Sequence, residues 1–320
     1  MKDSLITIII PVYNAKKYIA KCAEALINQT YKNIEIIFVD DCSTDSSCKI
    51  IQKFVNKDSR VKLYSTGTNG GPGKARNVGL ENAHGEYIMF CDNDDSYRPN
   101  MCEVMLKAMI EHDVDLVTCK PIVFHGKLDR AQEHYAYSDP TGYYDFDKHR
   151  RFATTVFVWN KLYKKSILDK YGIKFTTLIA EDDLFTFMYN SVTNSYYGLK
   201  DKLYNFILRK ASYTLSIAKK GKNPKIKWDK LKLIKEYMDF LKRNDLLEKR
   251  FRHLKIFIRN EFWYIFRYYR LSLFEFIKFL KEYHSYVDFL NNEELGFYNI
   301  YLRYKTPLFF FKILKMCYWS

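Results

Sequence analysis

The chain has 320 residues, 48% of them hydrophobic, and is therefore long enough to bury a large core without disulfides or a structural metal. Its formal net charge is +15, and most of the excess of Lys and Arg lies between Lys219 and Ser320. Clustered positive charge suits a polyanion, which leaves nucleic acid phosphates and an anionic lipid surface as candidate partners.

The cysteines and the apolar segments argue against several other classes of protein. The seven cysteines are scattered and form neither a CxxC pair nor a zinc-like spacing with histidine, so we expect reduced thiols in a cytosolic protein. The apolar run Leu5 to Pro11 lacks the basic lead and the cleavage site of a signal peptide. No stretch reaches the roughly 18 to 20 apolar residues that span a bilayer, so we expect a chain that can touch a membrane without crossing it.

The first 119 residues alternate short apolar runs with amphipathic segments, a pattern typical of βα units that build a mainly parallel sheet. The runs rich in β-branched and aromatic residues predict strands at Leu5 to Pro11, Ile34 to Asp40, Val61 to Tyr64, Tyr87 to Cys91 and Asp115 to Cys119. The segments between them predict helices at Lys16 to Gln29, Ser46 to Asn56 and Lys74 to Ala83.

The rest of the chain divides near residue 218 into an irregular part and a helical part. From Pro121 to Asp147 the periodicity fades, which predicts an irregular connection or a pair of short strands. Helices are then predicted at Ser166 to Lys170 and around Asp182 to Ser191, followed by a strand at Leu199 to Leu208. Beyond residue 218, apolar residues at helical spacing predict helices at Lys225 to Arg243, Leu246 to Tyr269, Ser272 to Leu290 and Gly296 to Tyr318.

An acidic turn follows the fourth predicted strand, where ligands bind in open parallel sheets. Asp92, Asn93, Asp94 and Asp95 come directly after the apolar run Tyr87 to Cys91. Alternate residues of an extended segment share a face, so Asp92 and Asp94 can offer hard oxygen ligands to Mg²⁺ or Mn²⁺. The alternative is a solvated acidic loop, but the position after a buried strand favours a cation that bridges the carboxylates to a diphosphate.

Two further segments carry candidate chemistry. The glycine-rich stretch Gly70 to Gly79 leads into a helix and can bring backbone N–H groups and Arg76 near an anion, although it also suits a simple helix start with a surface arginine. Glu181 and Asp182 stand beside aliphatic residues, where partial desolvation can raise the pKa of a carboxylate toward that of a useful base. The alternative for this second cluster is favourable charge at a helix N-terminus.

The chain resembles glycosyltransferase family 2, whose catalytic domain has the GT-A fold, over roughly Leu5 to Ser216. The resemblance is carried, in the family's order, by IIIPVYN (Ile8 to Asn14), FVDDCSTD (Phe38 to Asp45), GGPGKARNVGL (Gly70 to Leu80), FCDNDD (Phe90 to Asp95), WNKLYKKSIL (Trp159 to Leu168) and EDDLF (Glu181 to Phe185). Cys42 replaces a more frequent glycine, and Asn93 stands where a small residue is common. Neither departure removes a ligand or a base.

The resemblance implies a role for each residue of these motifs. The donor nucleotide and its sugar would be bound by Pro11, Val12, Tyr13, Asn14, Asp41, Arg76, Asp92 and Asn93. Asp94 would be the principal ligand of a Mn²⁺ or Mg²⁺ ion, and Asp182 would be the catalytic base. The pocket for the acceptor or the donor sugar would be shaped by Trp159, Asn160 and Glu181.

The fold class that the resemblance implies is α/β, a GT-A fold with a mainly parallel central sheet flanked by helices, plus a C-terminal helical region. Residues 1–218 would form the catalytic domain, with nucleotide-sugar binding in 1–119 and the acceptor and base half in 120–218. Residues 219–320 would form a basic, aromatic-rich helical region.

The expected reaction is inverting, non-processive transfer of a hexose or N-acetylhexosamine from a UDP-sugar to a saccharide hydroxyl, in cell-surface polysaccharide synthesis. The acceptor would be lipid-linked and the protein peripheral on the anionic inner face of the cell membrane, with no nucleic acid partner. The alternatives are a polyprenyl-phosphate glycosyltransferase and, in a different class, a basic nucleic-acid-binding protein without catalysis.

Overall fold

The computed structural model describes residues 3–125, 131–132, 139–146, 154–208, 225–254, 256–258 and 260–261. The helices predicted at Ser272 to Leu290 and Gly296 to Tyr318 lie outside these residues, as does the end of the one predicted at Leu246 to Tyr269. Residues 251–254, 256–258 and 260–261 of that last segment are helical.

The N-terminal part is a parallel βα arrangement, as the alternation of apolar runs predicts. Its strands are β1 (Ile6–Val12), β2 (Ile34–Asp40), β3 (Val61–Ser65) and β4 (Tyr87–Phe90). They are connected by helices α1 (Ile19–Ile27), α2 (Ser47–Val55) and α3 (Gly71–Glu81). Strand β1 pairs in parallel with both β2 and β4, and β2 pairs in parallel with β3, so these four strands end at one edge of the sheet.

The second part adds antiparallel strands to the same sheet. Its elements are β5 (Ser96–Tyr97), α4 (Met101–Glu111), β6 (Leu116–His125), β7 (Ala131–Gln132), β8 (Gly142–Asp145), β9 (Lys161–Lys164), α5 (Lys165–Tyr171), α6 (Glu181–Val192), β10 (Ser195–Leu208) and α7 (Lys225–Arg243). The strand order is β3-β2-β1-β4-β9-β6-β10-β5, with β7 on β6 and β8 on β10. Strand β9 is antiparallel to both β4 and β6 and therefore joins the two halves.

The described parts of the segment from Pro121 to Asp147 contain the pair of short strands that the sequence predicts as one alternative. Strand β6 continues through Pro121 to His125, and two short strands follow it. Proline lacks the N–H that a ladder needs and is tolerated in sheets at bulges. The register of β10 against β6 shifts between Lys202 and Tyr204, next to Pro121, so the irregularity that the proline requires is taken up by the neighbouring strand.

The core lies on both faces of the sheet. Along β1, Ile8 and Ile10 belong to a hydrophobic cluster with α1 and α4, whereas Ile9 belongs to a second cluster with α6 and α7. This alternation follows from the two-residue period of a strand. Leu231 and Tyr237 of α7 are fully buried in the second cluster, so the helical region beyond residue 218 begins packed against the α/β core. Among the described residues, no helix has the length and apolar character needed to cross a membrane.

Candidate active site

The ends of β1, β2 and β4 meet at one edge of the sheet, and the polar residues that follow them contact one another. The Asn93 side-chain amide donates to the carbonyl oxygen of Pro11 at 2.8 Å, which ties the acidic turn to the end of β1. The Asn14 side-chain oxygen accepts from the backbone N–H of Thr44 at 2.8 Å, which ties β1 to the turn after β2. The Tyr13 side chain is 52% exposed at this edge. Three segments that are far apart in sequence therefore form one continuous surface.

Asp41 anchors the glycine-rich stretch at the start of α3. Its carboxylate accepts hydrogen bonds from the backbone N–H groups of Gly70 at 3.0 Å and Gly71 at 2.7 Å and from the Thr66 hydroxyl at 2.8 Å. The residue is 2% exposed. In this state Asp41 holds the glycine stretch in place, and its role in binding the donor base stays a prediction.

Arg76 of α3 connects the acidic turn to the start of α6. One guanidinium nitrogen donates to Asp92 at 3.0 Å, and the other donates to Glu181 at 2.8 Å and to Asp182 at 2.9 Å. Arg76 is 3% exposed, which excludes the alternative of a surface arginine. Helix α3 can pack this close to the segment before α6 because Gly73 has no Cβ. A Cβ at this position would collide with the carbonyl oxygen of Thr176.

The charges in this cluster do not balance. Burial alone would lower the pKa of Arg76, but the three neighbouring carboxylates raise it above its usual value, so the guanidinium stays charged. One positive charge then faces three carboxylates, and the cluster keeps a negative excess that attracts cations. Asp92 and Asp182 lie close together, because each is within hydrogen-bond distance of the same Arg76 guanidinium group.

Asp182 has the properties that a general base requires. Desolvation raises the pKa of Asp182 well above its usual range, although the Arg76 guanidinium opposes this shift. The side chain of Asp182 is still 24% exposed, so an acceptor hydroxyl can reach it. Glu181, Asp182 and Asp183 all lie in the first turn of α6, where the helix dipole also favours negative charge. Favourable charge at a helix N-terminus therefore accounts for part of this acidic cluster, and the role of Asp182 as catalytic base stays a prediction.

The acidic turn offers oxygen donors that fit a divalent cation shared with a substrate. Asp92 and Asp94 are partly exposed, and the Asp92 side chain is 32% exposed even while it contacts Arg76. Within the described ranges, no group of three or more His, Cys, Asp or Glu residues could hold a metal by itself. Mg²⁺ sites of the kind that use one or two carboxylates plus substrate phosphates need no more protein ligands than this. The donor set therefore fits a cation whose coordination a diphosphate completes.

Two residues predicted to shape the pocket lie inside the protein. Trp159 is 2% exposed and stacks on Tyr204, with ring centroids 4.4 Å apart. Asn160 is fully buried, and its side-chain amide donates to the Cys119 carbonyl at 3.0 Å and to Asp139 at 3.1 Å. In this state both residues support the sheet around β9, and contact with an acceptor stays a prediction.

Sequence reasoning missed Tyr204, which lies beneath the acidic turn. Its hydroxyl accepts the backbone N–H of Asp92 at 3.2 Å and donates to the Asp95 carboxylate at 2.8 Å. No local motif identifies Tyr204 as a residue of the site. Its hydrogen-bond partners are more than 100 residues away, and in the sequence it is one of several aromatic residues of a predicted strand. The apolar residues around it predicted the strand Leu199 to Leu208 but no role for Tyr204 in the site.

Comparisons with known proteins agree with this geometry. The family model described as glycosyl transferase family 2 matches residues 7–172. A putative glycosyltransferase of Bacillus subtilis, EpsH, is 32% identical over 275 residues, which is 81% of this chain and 75% of the relative. An uncharacterized glycosyltransferase of Haemophilus influenzae is 48% identical over 112 residues, and this chain spans only 45% of its length. GlyG of Streptococcus pneumoniae is matched over 38% of its length.

Solved structures show the same arrangement of the chain. The structure of Staphylococcus aureus TarS 1-349 in complex with UDP-GlcNAc has a TM-score of 0.65 and 26% identity, with 83% of this chain and 73% of that chain covered. A mannosyltransferase from Pyrobaculum calidifontis, in complex with GDP-Man and Mn²⁺, has a TM-score of 0.53 over 72% of this chain and 64% of that chain. At 18% identity, the second likeness concerns the fold alone.

Proposed function

Because the chain belongs to glycosyl transferase family 2 and has its GT-A fold, we propose that it moves a hexose or N-acetylhexosamine from a UDP-sugar to a saccharide hydroxyl with inversion. The observation that carries this proposal is the position of Arg76, whose guanidinium contacts Asp92 and Asp182 together. A donor site at the acidic turn and a base at the start of α6 are thus adjacent.

A uridine nucleotide is the donor that the relatives favour. TarS structures hold UDP and UDP-GlcNAc, and TarS is named as a poly(ribitol-phosphate) β-N-acetylglucosaminyltransferase. In this chain, the backbone N–H of Asp41 donates to the Val12 carbonyl at 2.8 Å, and the neighbouring Tyr13 side chain is exposed, so a flat pyrimidine could stack on its ring. A diphosphate that extends from this point would reach the acidic turn after β4.

In the proposed mechanism, Asp182 removes the proton from the acceptor hydroxyl as that oxygen attacks the anomeric carbon and the diphosphate leaves. The raised pKa of Asp182 makes it a stronger base than an ordinary aspartate. Asp94, with Asp92, would hold a Mn²⁺ or Mg²⁺ ion, whose charge would stabilise the departing diphosphate. Arg76 orients Asp182 and adds a positive charge beside the site where negative charge develops.

The acceptor in this proposal is a lipid-linked saccharide at the anionic inner face of the cell membrane. The support is the basic excess beyond Lys219 and the exposed stripe of α7, which contains Lys232, Lys235, Lys242 and Arg243. The apolar face of α7 is buried against the core, so this helix would meet lipid through charge alone. Sedimentation with anionic but not with neutral liposomes is the expected result, and equal sedimentation with both would contradict it.

The proposal is tested by UDP release across a panel of UDP-sugars, with and without EDTA. Asp182→Asn keeps the shape of the side chain but removes the base, so turnover should fall by roughly 10² to 10⁴-fold while UDP binding persists. Asp169→Asn is the matched control, because Asp169 is an exposed aspartate of α5 that pairs with Lys165. If D182N turned over as fast as D169N, Asp182 would not be the base. If none of the UDP-sugars in the panel gave UDP release, the proposed reaction would be wrong.

A further inference from the structure

The acidic turn that would carry the metal ligand is fastened at both ends to one buried hydroxyl group. We propose that Tyr204 of β10 is a positioning residue that fixes the spacing of Asp92 and Asp94 for binding a divalent cation and a diphosphate. This inference rests on the proposed function, because it assigns Tyr204 a task at the same site. Tyr204 touches neither substrate nor metal and acts through the backbone of the turn.

The turn is closed by its own backbone and held from below by Tyr204. The N–H of Asp95 donates to the carbonyl of Asp92 at 3.1 Å, which makes residues 92–95 a β-turn. The Tyr204 hydroxyl accepts the N–H of Asp92 at 3.2 Å and donates to Asp95 at 2.8 Å. The other Asp95 oxygen accepts the N–H of Ile207 at 2.8 Å. The first and last residues of the turn are thus bonded to β10, with Asn93 and Asp94 between them.

The Tyr204 ring cannot move away from these contacts easily. Tyr204 is fully buried, stacks on Trp159 with centroids 4.4 Å apart, and meets Tyr97 at 5.7 Å. Its backbone pairs with Tyr97 of β5 on one side and with Pro121 of β6 on the other. Trp159, which the sequence places in a pocket, therefore affects the site through the tyrosine that it packs against.

The geometry of the turn matters because a shared cation tolerates little error. Mg²⁺ demands near-ideal octahedral distances, so a small shift of the Asp94 carboxylate would weaken the metal and the diphosphate together. Groups that orient metal ligands by hydrogen bonds commonly change metal affinity by 10 to 100-fold when they are removed. Asp95 cannot supply a ligand in this state, because its two oxygens accept bonds from Tyr204 and Ile207 and the residue is 2% exposed.

The test is Tyr204→Phe, which removes one oxygen atom and keeps the ring. Mn²⁺ affinity is measured in the presence of UDP by electron paramagnetic resonance of free Mn²⁺, and UDP affinity is measured separately in EDTA. We expect Y204F to lose about 10 to 100-fold in Mn²⁺ affinity, with UDP affinity in EDTA unchanged. Mn²⁺ affinity within twofold of wild type would overturn the inference.

Tyr189→Phe is the matched control. The Tyr189 hydroxyl is equally buried and has the same double role, since it accepts the N–H of Lys164 at 2.9 Å and donates to the Asp115 carbonyl at 2.8 Å. It lies at the opposite edge of the sheet, so Y189F should lose stability without losing Mn²⁺ affinity. An equal loss in both variants would show a general effect on folding and overturn the inference.

A second variant keeps the test decisive if Y204F does not fold. Asp95→Asn retains the hydroxyl and removes the carboxylate that orients it, and Mn²⁺ affinity should again fall at least tenfold. A D95N protein with wild-type Mn²⁺ affinity would overturn the inference. If the proposed function itself were wrong, the wild-type protein would bind neither UDP nor Mn²⁺ in the presence of UDP. That result is distinguishable from a failure of the inference about Tyr204, which concerns only the variants.

Discussion

Replacing Arg76 by methionine should destabilise the protein more than the same replacement of the partly exposed Arg60. Methionine fills a similar volume but leaves Asp92, Glu181 and Asp182 without their shared cation. Removing one partner of a buried ion pair costs about 3 to 5 kcal/mol, because an unpaired charge is left in a poorly solvated place. The three carboxylates keep 32%, 14% and 24% of their side-chain surface exposed, so water compensates partly and the lower end, about 3 kcal/mol, applies.

The assay is thermal and urea unfolding of R76M beside Arg60→Met. Arg60 pairs with Asp58 at 2.7 Å but is 25% exposed, and exposed pairs contribute about 1 kcal/mol or less. A loss of about 3 kcal/mol corresponds to a fall in Tm of roughly 4 to 5 °C for a chain of 320 residues. Mn²⁺ should recover part of the loss in R76M, because the unpaired carboxylates then have a cation to bind. Equal losses in R76M and R60M would refute the reasoning.

The pH dependence of this variant has a definite sign. Arg76 lowers the pKa of Asp182 against the effect of desolvation, so its removal should raise that pKa further. A carboxyl group whose pKa is raised in the folded state binds its proton more tightly there than in the unfolded state. Its contribution to stability is therefore lost as the pH rises through the raised pKa. The difference in the free energy of unfolding between R76M and wild type should therefore be larger at pH 8 than at pH 5. If the difference in the free energy of unfolding did not change with pH, the loss of stability in R76M would not come from the unpaired carboxylates.

Two further predictions concern stability. Cys42 has a φ of +61°, a backbone conformation that favours glycine, so Cys42→Gly should stabilise the fold by about 0.5 to 1 kcal/mol in urea unfolding. Cys42→Ala keeps the strain that the Cβ causes and should give no gain. Burial raises the pKa of Glu261 to about 7 against the pull of Lys230, so its contribution to stability is complete below pH 4.5 and lost through pH 7. The free energy of unfolding of Glu261→Gln should therefore rise relative to that of wild type as the pH increases from 4.5 to 8, and a difference that stays constant would contradict this.

Local sequence signals predicted most of the fold. The β-branched runs gave β1, β2 and β4 to within a residue or two, because short strands buried on both faces need continuous apolar sequence. Helix α7 has the predicted bounds, since its apolar period of three to four residues is unbroken. The α/β class and the family are confirmed. Strand β9 was missed because four residues with lysine at both ends carry no strand pattern.

The site was predictable in its parts but not in its connections. The turns after β1, β2 and β4 had to converge, because the carboxyl ends of adjacent parallel strands share an edge. No local rule connects Arg76 with Asp182 or Tyr204 with Asp92, since each pair is separated by more than 100 residues. Such contacts depend on how α6 and β10 pack on the sheet. Trp159 shows the same limit, because the sequence marks it as important without showing that it faces inward.

The structure also changes the argument that led from the acidic turn to a metal. Asp92, Asp94 and Asp95 lie within four residues of one another, and a bound cation would relieve the repulsion between their charges. In the free protein Asp92 contacts Arg76, and Asp95 accepts hydrogen bonds from Tyr204 and Ile207. Repulsion within the turn therefore does not require a metal in the free protein. The case for a cation rests instead on the partly exposed carboxylates of Asp92 and Asp94 together with a diphosphate, so metal affinity should depend strongly on bound UDP.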